Sequence, residues 1–329
     1  MRRYVDNHPV LPAALDMLTV LRSPQLLYSQ PHMSLAPDGQ PASAMLLSEE
    51  QIAFFDTFGY LALPGVLAED IAWVQHEFEA VWAARTDLEH DGSKRSMFPG
   101  LFVAQSPRLS TLVEDPRVAG ACRSLLGEGY TLSGGDGNFY SGDTGWHSDT
   151  QAGFGMRAKT VCRHLKIAFY LDDGLTDASG ALRVIPGSHR FGDHYAEQLE
   201  AGMGALGSGP GLPAMALPTQ PGDLLLFDHR LKHASFGGGP RRRMFTTNWY
   251  AGTPTPVEYD AAQEVNASYW GPNSTARPFE GTWAEGAPEP RRAILSNHEK
   301  LWAEMAEGQE APGTFADPNV VQPTARPSL

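Results

Sequence analysis

Gly145-Trp146-His147-Ser148-Asp149 carries a histidine and an aspartate two positions apart. Successive side chains of an extended strand point to opposite faces, so His147 and Asp149 project to one side and can chelate a single ion. Two imidazoles and one carboxylate are the smallest ligand set that holds a divalent iron on one face of its octahedron and leaves the opposite face open. The stretch therefore predicts part of an iron site on a β-sheet.

The third ligand must come from a distant segment that the sheet brings close. His233 closely follows the strand-like run Asp223-Leu224-Leu225-Leu226-Phe227, and a rigid strand end would fix its position. His229 lies four residues earlier and is the rival ligand, which spacing alone does not exclude. His189, in a Pro-Gly-Ser-His turn, is instead predicted to be a structural hydrogen-bonding residue.

The composition favours a mainly β architecture. The chain of 329 residues contains 34 glycines and 26 prolines, which indicates many turns. From about Gly129 to Ala251, short strand-like runs alternate with turns, a pattern typical of a double-stranded β-helix (a jelly-roll or cupin-like core). Two flanking helices are predicted upstream. One follows a Ser48/Gln51 capping box and stops at Gly59, and the other spans about Glu69 to Ala84.

The net charge of the chain bears on which partners it can bind. A formal net charge of −13 argues against general binding to nucleic acid or to an anionic membrane. The run Arg241-Arg242-Arg243 can still form a local basic pocket sized for a dicarboxylate.

Cys122 and Cys162 lack metal-type spacing and are predicted to be reduced thiols. No signal peptide or bilayer-length apolar run is recognised, and we expect a cytoplasmic location.

A set of motifs in fixed order extends this interpretation. The stretches Leu171-Asp172-Asp173-Gly174, Ser179-Gly180-Ala181-Leu182-Arg183-Val184-Ile185-Pro186-Gly187-Ser188-His189-Arg190 and Gly222-Asp223 lie between the first two ligands and His233-x-Ser235. Together they resemble the phytanoyl-CoA dioxygenase family of iron(II)- and 2-oxoglutarate-dependent oxygenases. The tetrapeptide Trp146-His147-Ser148-Asp149 is similar to the ectoine hydroxylase branch, and the resemblance covers roughly Leu47 to Ala251.

The resemblance implies roles for particular residues. It implies His147, Asp149 and His233 as iron ligands. It implies Arg243 as the partner of the distal carboxylate of 2-oxoglutarate, with Ser235 as a second contact and Asn138 as a further cosubstrate-contacting residue. The expected cofactors are Fe(II), 2-oxoglutarate as cosubstrate, and O2.

The choice of arginine depends on alignment. The family usually places this arginine eleven residues after the distal histidine, whereas Arg243 is ten residues after His233, so the loop Phe236-Gly237-Gly238-Gly239-Pro240 must be shorter by one. Strand alternation puts Arg241 on the face of Arg243 and Arg242 on the opposite face. We therefore predict Arg243 as the anchor, with Arg241 as the alternative and Arg242 in a solvated turn.

The expected reaction is oxidation of an unactivated C–H bond of a small metabolite, with release of succinate and CO2. Related halogenating enzymes replace the carboxylate ligand with a small residue, and this chain keeps Asp149, so hydroxylation, desaturation or ring formation is favoured. Candidate substrate contacts are Trp146, Tyr140, Phe154 and Lys166, although Lys166 and His164 can equally be ordinary polar residues of a strand.

Three segments are predicted: a 1–46 extension, a 47–251 dioxygenase domain, and a 252–329 extension that covers the pocket or forms a homodimer contact.

Two hypotheses that assign a different class of function stay open. One is a metal-dependent hydrolase or isomerase on a cupin-like barrel, which would need neither Arg243 nor Ser235. The other is a catalytically silent binding barrel, for which an intact ligand triad would be unexpected.

Overall fold

Two β-sheets face each other in the computed structural model, and helices flank the larger sheet. The structure describes residues 45–85, 92–98, 101–149, 163–172, 174–190, 201–202, 212, 214–252, 286–295 and 320–321. The prediction of a mainly β protein with flanking helices is thereby confirmed.

Twelve strands are described, and almost all of them pair in antiparallel fashion. The larger sheet has eight strands in the order β1-β9-β6-β11-β4-β2-β12, with β3 paired to β11, and the smaller sheet has the order β5-β10-β7-β8. Only β12 pairs in parallel, with β2, among the described strands. The strands are β1 Tyr60–Leu63, β2 Arg95–Phe98, β3 Thr131–Gly134, β4 Gly137–Tyr140, β5 Thr144–His147, β6 His164–Tyr170, β7 Leu182–Val184, β8 Met215–Leu217, β9 Leu224–Asp228, β10 His233–Ser235, β11 Arg242–Tyr250 and β12 Val320–Val321.

The helices begin and end where their capping residues require. Helix α1 (Glu49–Phe58) starts at the capping box of Ser48 and Gln51 and ends at Gly59 in the left-handed conformation, as predicted. Helix α2 (Ile71–Ala83) confirms the second predicted helix, with slightly shorter bounds. Helix α3 (Pro116–Leu126) is capped by the Asp115 side chain, which accepts from the backbone N–H of Arg117.

The two faces of the larger sheet bury different sets of side chains. On the outer face, Phe169 and Phe245 stack with ring centroids 4.5 Å apart, and they belong to one cluster with Trp249 and residues of α2 and α3. The inner face is the face turned toward the smaller sheet. There, Tyr170 and Met244 share a second cluster with residues of the smaller sheet. Because side chains alternate along β11, each of them either packs toward the helices on the outer face or points into the space between the two sheets.

Several predicted features lie wholly or partly outside the described residues. They include the short helix near Ala13 to Leu21, the loops Gln151–Met156 and Glu197–Pro213, and Cys162. The predicted helix from Arg291 to about Ala306 is described only over 289–295, which is helical. Cys122 is a buried free thiol. Within the described ranges, no helix has both the length and the apolar character that crossing a bilayer requires.

Gly59 allows a test of how α1 is fixed to the rest of the fold. Its φ is +82°, and a Cβ there would lie 2.4 Å from Nδ1 of His189. We expect Gly59→Ala to lower the free energy of unfolding by about 2 kcal/mol or more, because left-handed strain adds to displacement of the His189 ring. Urea denaturation measures the loss.

Gly65→Ala is the matched control. Its φ is +66°, but a Cβ there would meet nothing closer than Ala68 at 4.0 Å. This variant should lose only about 1 kcal/mol, from backbone strain. Equal losses for the two variants would show that the approach of His189 does not constrain the end of α1.

Candidate metal centre

Three potential metal ligands converge between the two sheets. One ligand atom each of His147, Asp149 and His233 lies within 4.8 Å of the others. His147 and His233 are direct cross-strand partners on β5 and β10, and their ring centroids are 4.2 Å apart. Oδ1 of Asp149 is 4.0 Å from Nε2 of each histidine. The structure thus brings together the three predicted ligands.

Backbone carbonyls orient both imidazoles. Nδ1 of His147 donates to the carbonyl of Gly145 at 2.8 Å, and Nδ1 of His233 donates to the carbonyl of Leu231 at 2.9 Å. Because Nδ1 carries the proton in each ring, the lone pair of Nε2 is free and points toward Asp149. Both histidines are therefore held in the tautomer that metal binding requires.

Burial and nearby charges fix the protonation states of the three ligands. Burial, together with the neighbouring His147, lowers the pKa of His233 to about 3. Burial also lowers the pKa of His147. Burial alone would raise the pKa of Asp149, but the Lys166 ammonium and the surrounding histidines outweigh it and hold that pKa well below its usual range. Two neutral imidazoles and one carboxylate are the forms that bind a divalent cation.

Lys166 pairs with the oxygen of Asp149 that the histidines leave unused. Its Nζ is 3.0 Å from Oδ2, and both side chains are 12% exposed. Oδ1 of Asp149 is therefore turned toward the histidines and Oδ2 toward the ammonium. Lys166, predicted as a substrate contact or an ordinary polar residue, contacts a potential metal ligand instead.

The rival ligand His229 lies outside the triad. Its ring is 5.3 Å from that of His164, and the His164 ring also approaches Tyr250 at 5.4 Å. Burial is the main cause that lowers the pKa of His164 to about 3 and that of His229 to about 4. His229 contributes to the centre through its backbone carbonyl, which accepts from the N–H of Asp149 at 2.8 Å. His189 makes a structural contact, 3.2 Å from the carbonyl of Asp56.

Arg243 does not lie where the sequence interpretation put it. It has the strand parity of Phe245, so it is on the outer face of β11. There its Nε donates to Asp172 at 2.7 Å and its Nη1 contacts Glu79 of α2 at 3.2 Å. Arg243 therefore ties β11 to Asp172 and to a helix, and it does not extend into the space between the sheets.

Arg242, predicted in a solvated turn, occupies the inner face instead. It has the parity of Met244, is 8% exposed, and donates to the carbonyls of Gly180 and Gly142 at 2.9 and 2.6 Å. Its guanidinium carbon is 5.6 Å from the centroid of the Tyr140 ring. The alternative anchor, Arg241, has a φ of +58°, is exposed, and lies over Phe139 at 4.7 Å.

The other predicted contacts divide between the two faces. Ser235 shares the strand parity of His233 and is 7% exposed, and Asn138 is fully buried with Met244 as its cross-strand partner. Tyr140 shares the inner parity of Asn138. Trp146 has the opposite parity to His147 and packs against Phe236 at 6.1 Å, away from the triad. Phe154 lies outside the described residues.

Two charged residues that the sequence interpretation missed extend the site. Asp136 accepts from Thr246 at 2.6 Å and from the Asn138 amide, and the Lys166 and Arg95 charges outweigh its burial and lower its pKa. Arg95 on β2 donates to Oδ1 of Asn138 at 2.9 Å. No local motif identifies either residue, because their proximity to the triad depends on the pairing of β2 with β4 and of β4 with β11.

The donor set fits iron(II). It offers two imidazole nitrogens and one carboxylate oxygen from strands β5 and β10 and the residues after β5, which corresponds to the two-histidine, one-carboxylate pattern of non-haem iron oxygenases. Within the described residues it is the only group of this kind. Such a set leaves positions for a chelating cosubstrate and for dioxygen.

Known proteins share this fold. The structure of HygX from Streptomyces hygroscopicus with nickel and 2-oxoglutarate bound has a TM-score of 0.52 at 22% identity, and the alignment covers 64% of this chain and 89% of that one. The non-haem α-ketoglutarate-dependent carbocyclase SnoK has a TM-score of 0.50 at 19% identity, with 65% and 87% covered. At these identities the likeness concerns the fold alone.

Comparison of sequences identifies the family as well as the fold. The ectoine dioxygenase of Sphingopyxis alaskensis is 30% identical over 223 residues, which are 58% of this chain and 71% of that protein. The ectoine dioxygenase of Bordetella parapertussis is 29% identical over 184 residues, or 49% and 59% of the two chains. The family model of phytanoyl-CoA dioxygenase matches residues 55–244. With the convergent donor set, these matches identify a 2-oxoglutarate-dependent non-haem iron dioxygenase, and the chain belongs to the phytanoyl-CoA dioxygenase family.

Proposed function

We propose that His147, Asp149 and His233 hold iron(II) in a double-stranded β-helix core, and that Arg242 with Ser235 holds the distal carboxylate of 2-oxoglutarate. The convergence of the three ligand atoms within 4.8 Å carries this assignment. Arg242 is the arginine of the run Arg241-Arg242-Arg243 that extends from the inner face. Its planar guanidinium suits a bidentate carboxylate and keeps its charge at any working pH.

When bound, iron(II) with 2-oxoglutarate and dioxygen supplies the oxidising power that breaks an unactivated C–H bond and yields succinate and CO2. The chain's own groups bind and orient these components. Neutral His147 and His233 would present Nε2 to the metal, and Lys166 holds one oxygen of Asp149, which leaves the other oxygen available as a ligand. The apolar inner cluster around Tyr170 and Met244 keeps water away from the cosubstrate.

The substrate in this proposal is a small metabolite that is hydroxylated. Retention of Asp149 argues against halogenation, which needs the coordination position that a carboxylate fills. The relatives from Sphingopyxis alaskensis and Bordetella parapertussis are named ectoine dioxygenases. An assay of succinate release should therefore begin with ectoine and continue with small amino acids, betaines and their biosynthetic intermediates.

Substituting the ligands tests the metal assignment. Anaerobic addition of iron(II) and 2-oxoglutarate should produce the weak visible metal-to-ligand charge-transfer band in the wild-type protein. We expect His147→Ala and His233→Ala each to abolish the band and Asp149→Ala at least to weaken it, because each variant loses one of the three ligands that bind the ion. Absorption spectroscopy measures the band, and circular dichroism checks that each variant is folded.

His229→Ala is the matched control for these variants. It removes a buried imidazole from the same part of the fold but no ligand of the triad, so the band should persist. A band that disappears in folded His229→Ala and persists in His233→Ala would transfer the third ligand position to His229.

Arg242 and Arg243 are adjacent, so they provide a paired test of the cosubstrate anchor. We expect Arg242→Gln to raise the Kd of 2-oxoglutarate about 10- to 100-fold, because a charged hydrogen-bond partner is lost. Arg243→Gln removes the contacts to Asp172 and Glu79 and should lower stability while leaving that Kd nearly unchanged. Titration of the charge-transfer band gives the Kd, and the reverse pattern would restore Arg243 as the anchor.

A further inference from the structure

The guanidinium of Arg242 is buried and, within the described residues, makes no ion pair. Its Nη1 donates to the carbonyl of Gly180 at 2.9 Å, and its Nη2 donates to the carbonyl of Gly142 at 2.6 Å. Its Nε is buried without a hydrogen-bond partner. Two neutral carbonyls thus hold a cation, which is a costly arrangement in a buried place unless an anion joins it.

The carboxylates whose charges act on Arg242 are held by other groups. Oδ1 of Asp143 accepts from the backbone N–H of Gly237 at 2.7 Å, and Oδ1 of Asp172 accepts from Nε of Arg243 at 2.7 Å. Burial lowers the pKa of Arg242 and outweighs these two carboxylates, which act in the opposite direction. A ligand carboxylate that reached Arg242 would therefore meet a cation that neither aspartate contacts directly.

Two glycines lie directly against this guanidinium. A Cβ at Gly238 would lie 2.1 Å from Cζ of Arg242 and 2.2 Å from both Nε and Nη2. A Cβ at Gly180 would lie 2.2 Å from Nη1 and 2.6 Å from Cζ. Non-bonded atoms in a packed interior do not approach so closely, so a side chain at either position would displace the guanidinium. We call the surface that Gly142, Gly180 and Gly238 form around this group the arginine slot.

Gly238 leaves space for Arg242 without needing the special backbone of a glycine. Its φ lies outside the left-handed region, unlike that of Gly180 at +93° and that of Gly237 at +74°. The three atoms that a Cβ at Gly238 would meet first all belong to Arg242. The next residue, Gly239, also lacks a positive φ, and a Cβ there would meet nothing within 4 Å. These neighbouring glycines therefore differ in whether a Cβ would reach Arg242.

The arginine slot leaves a definite set of donors for a ligand. A guanidinium has five N–H groups, and the carbonyls of Gly180 and Gly142 accept from two of them, so three remain. One of the three is on the unpartnered Nε. Neighbouring N–H groups of a guanidinium match the two oxygens of a carboxylate. A guanidinium that is already held in place also loses little conformational entropy when it binds one.

We propose that Gly238 and Gly180 are positioning residues for the cosubstrate, because they hold Arg242 in the orientation that pairs with the distal carboxylate of 2-oxoglutarate. In this proposal the two glycines act through Arg242 and supply no ligand group of their own. The arginine slot then sets the preference of the site for a keto acid with a second carboxylate. This inference rests on the proposed function, in which Arg242 is the anchor.

Two keto acids test the proposal on the full-length protein loaded anaerobically with iron(II). 2-Oxopentanoate has the keto acid end of 2-oxoglutarate and a methyl group in place of the distal carboxylate. The charge-transfer band gives the Kd of each acid, and the ratio of the two values measures the contact with the guanidinium. We expect Gly238→Ala to raise the Kd of 2-oxoglutarate about 10-fold and to leave that of 2-oxopentanoate unchanged, because the anchor is displaced while the metal ligands are not.

Gly239→Ala is the matched control for this variant. It adds the same methyl group to the same loop away from Arg242, so both Kd values should stay at those of the wild-type protein. Weaker binding of both keto acids to the same degree in Gly238→Ala would assign Gly238 to general loop structure and overturn the proposal. Identical results for Gly238→Ala and Gly239→Ala would overturn it as well.

A double-mutant cycle with Arg242→Gln shows whether Gly238 acts through Arg242. Arg242→Gln should remove most of the preference for 2-oxoglutarate, and adding Gly238→Ala to it should change that Kd less than about 2-fold, because the displaced side chain is gone. Additive effects would overturn the proposal. A lost preference in Arg242→Gln with a wild-type preference in Gly238→Ala would contradict this inference alone. A wild-type preference in Arg242→Gln would instead contradict the anchor of the proposed function, and the inference with it.

Gly180 gives a second test that does not depend on the folding of Gly238→Ala. Gly180→Ala brings a Cβ against Nη1, whereas Gly174→Ala, at a φ of +59° and with nothing within 4 Å, adds left-handed strain without that contact. Thermal unfolding followed by circular dichroism should show a loss of stability in both variants. Only Gly180→Ala should also lose the preference for 2-oxoglutarate, and an equal preference in the two folded variants would overturn the role of the arginine slot.

Discussion

The cross-strand pair of His147 and His233 is the contact on which the whole site depends. Antiparallel pairing of β5 with β10 sets the two rings side by side, and the register shifts between His233 and Ser235, so that Ser235 pairs with Thr144. The extra residue lies in the segment whose Gly145 carbonyl accepts from the His147 ring. One local irregularity of β5 thus fixes both the tautomer of His147 and the position of Ser235.

The larger sheet gives this pair a rigid support. Its outer face buries aromatic side chains against α2 and α3, and the stacked rings of Phe169 and Phe245 link its two central strands. Burial of each such ring contributes about 1.5–3 kcal/mol, so a shift of β6 relative to β11 would cost much of that stabilisation. Because Lys166 is on β6 and Arg242 on β11, the core that fixes these strands also fixes the distances between charged groups on their inner faces.

The features that were predicted correctly from the sequence are those that depend on contacts between residues close together in the chain. The capping box at Ser48, the stop at Gly59 and the His-x-Asp spacing all follow from contacts within a few positions. The face of β11 on which Arg243 lies was predicted wrongly, because counting from His233 cannot determine strand parity across a loop that contains a residue at positive φ, Arg241. The parity was readable from the other end of β11, where Phe245 and Trp249 identify the outer face. Arg95 could not be found, because its role depends on strand pairing between distant segments.

Burying ionic groups is costly unless each has a partner, and this requirement links the parts of the site. Asp149 approaches both histidines with one oxygen and Lys166 with the other, so its charge is compensated even before an ion is bound. A bound divalent ion would add two positive charges, and the two carboxylates of the cosubstrate would neutralise them. Lys166 balances Asp149 and Arg95 balances Asp136, so Arg242 is the inner-face cation that is assigned to the diacid.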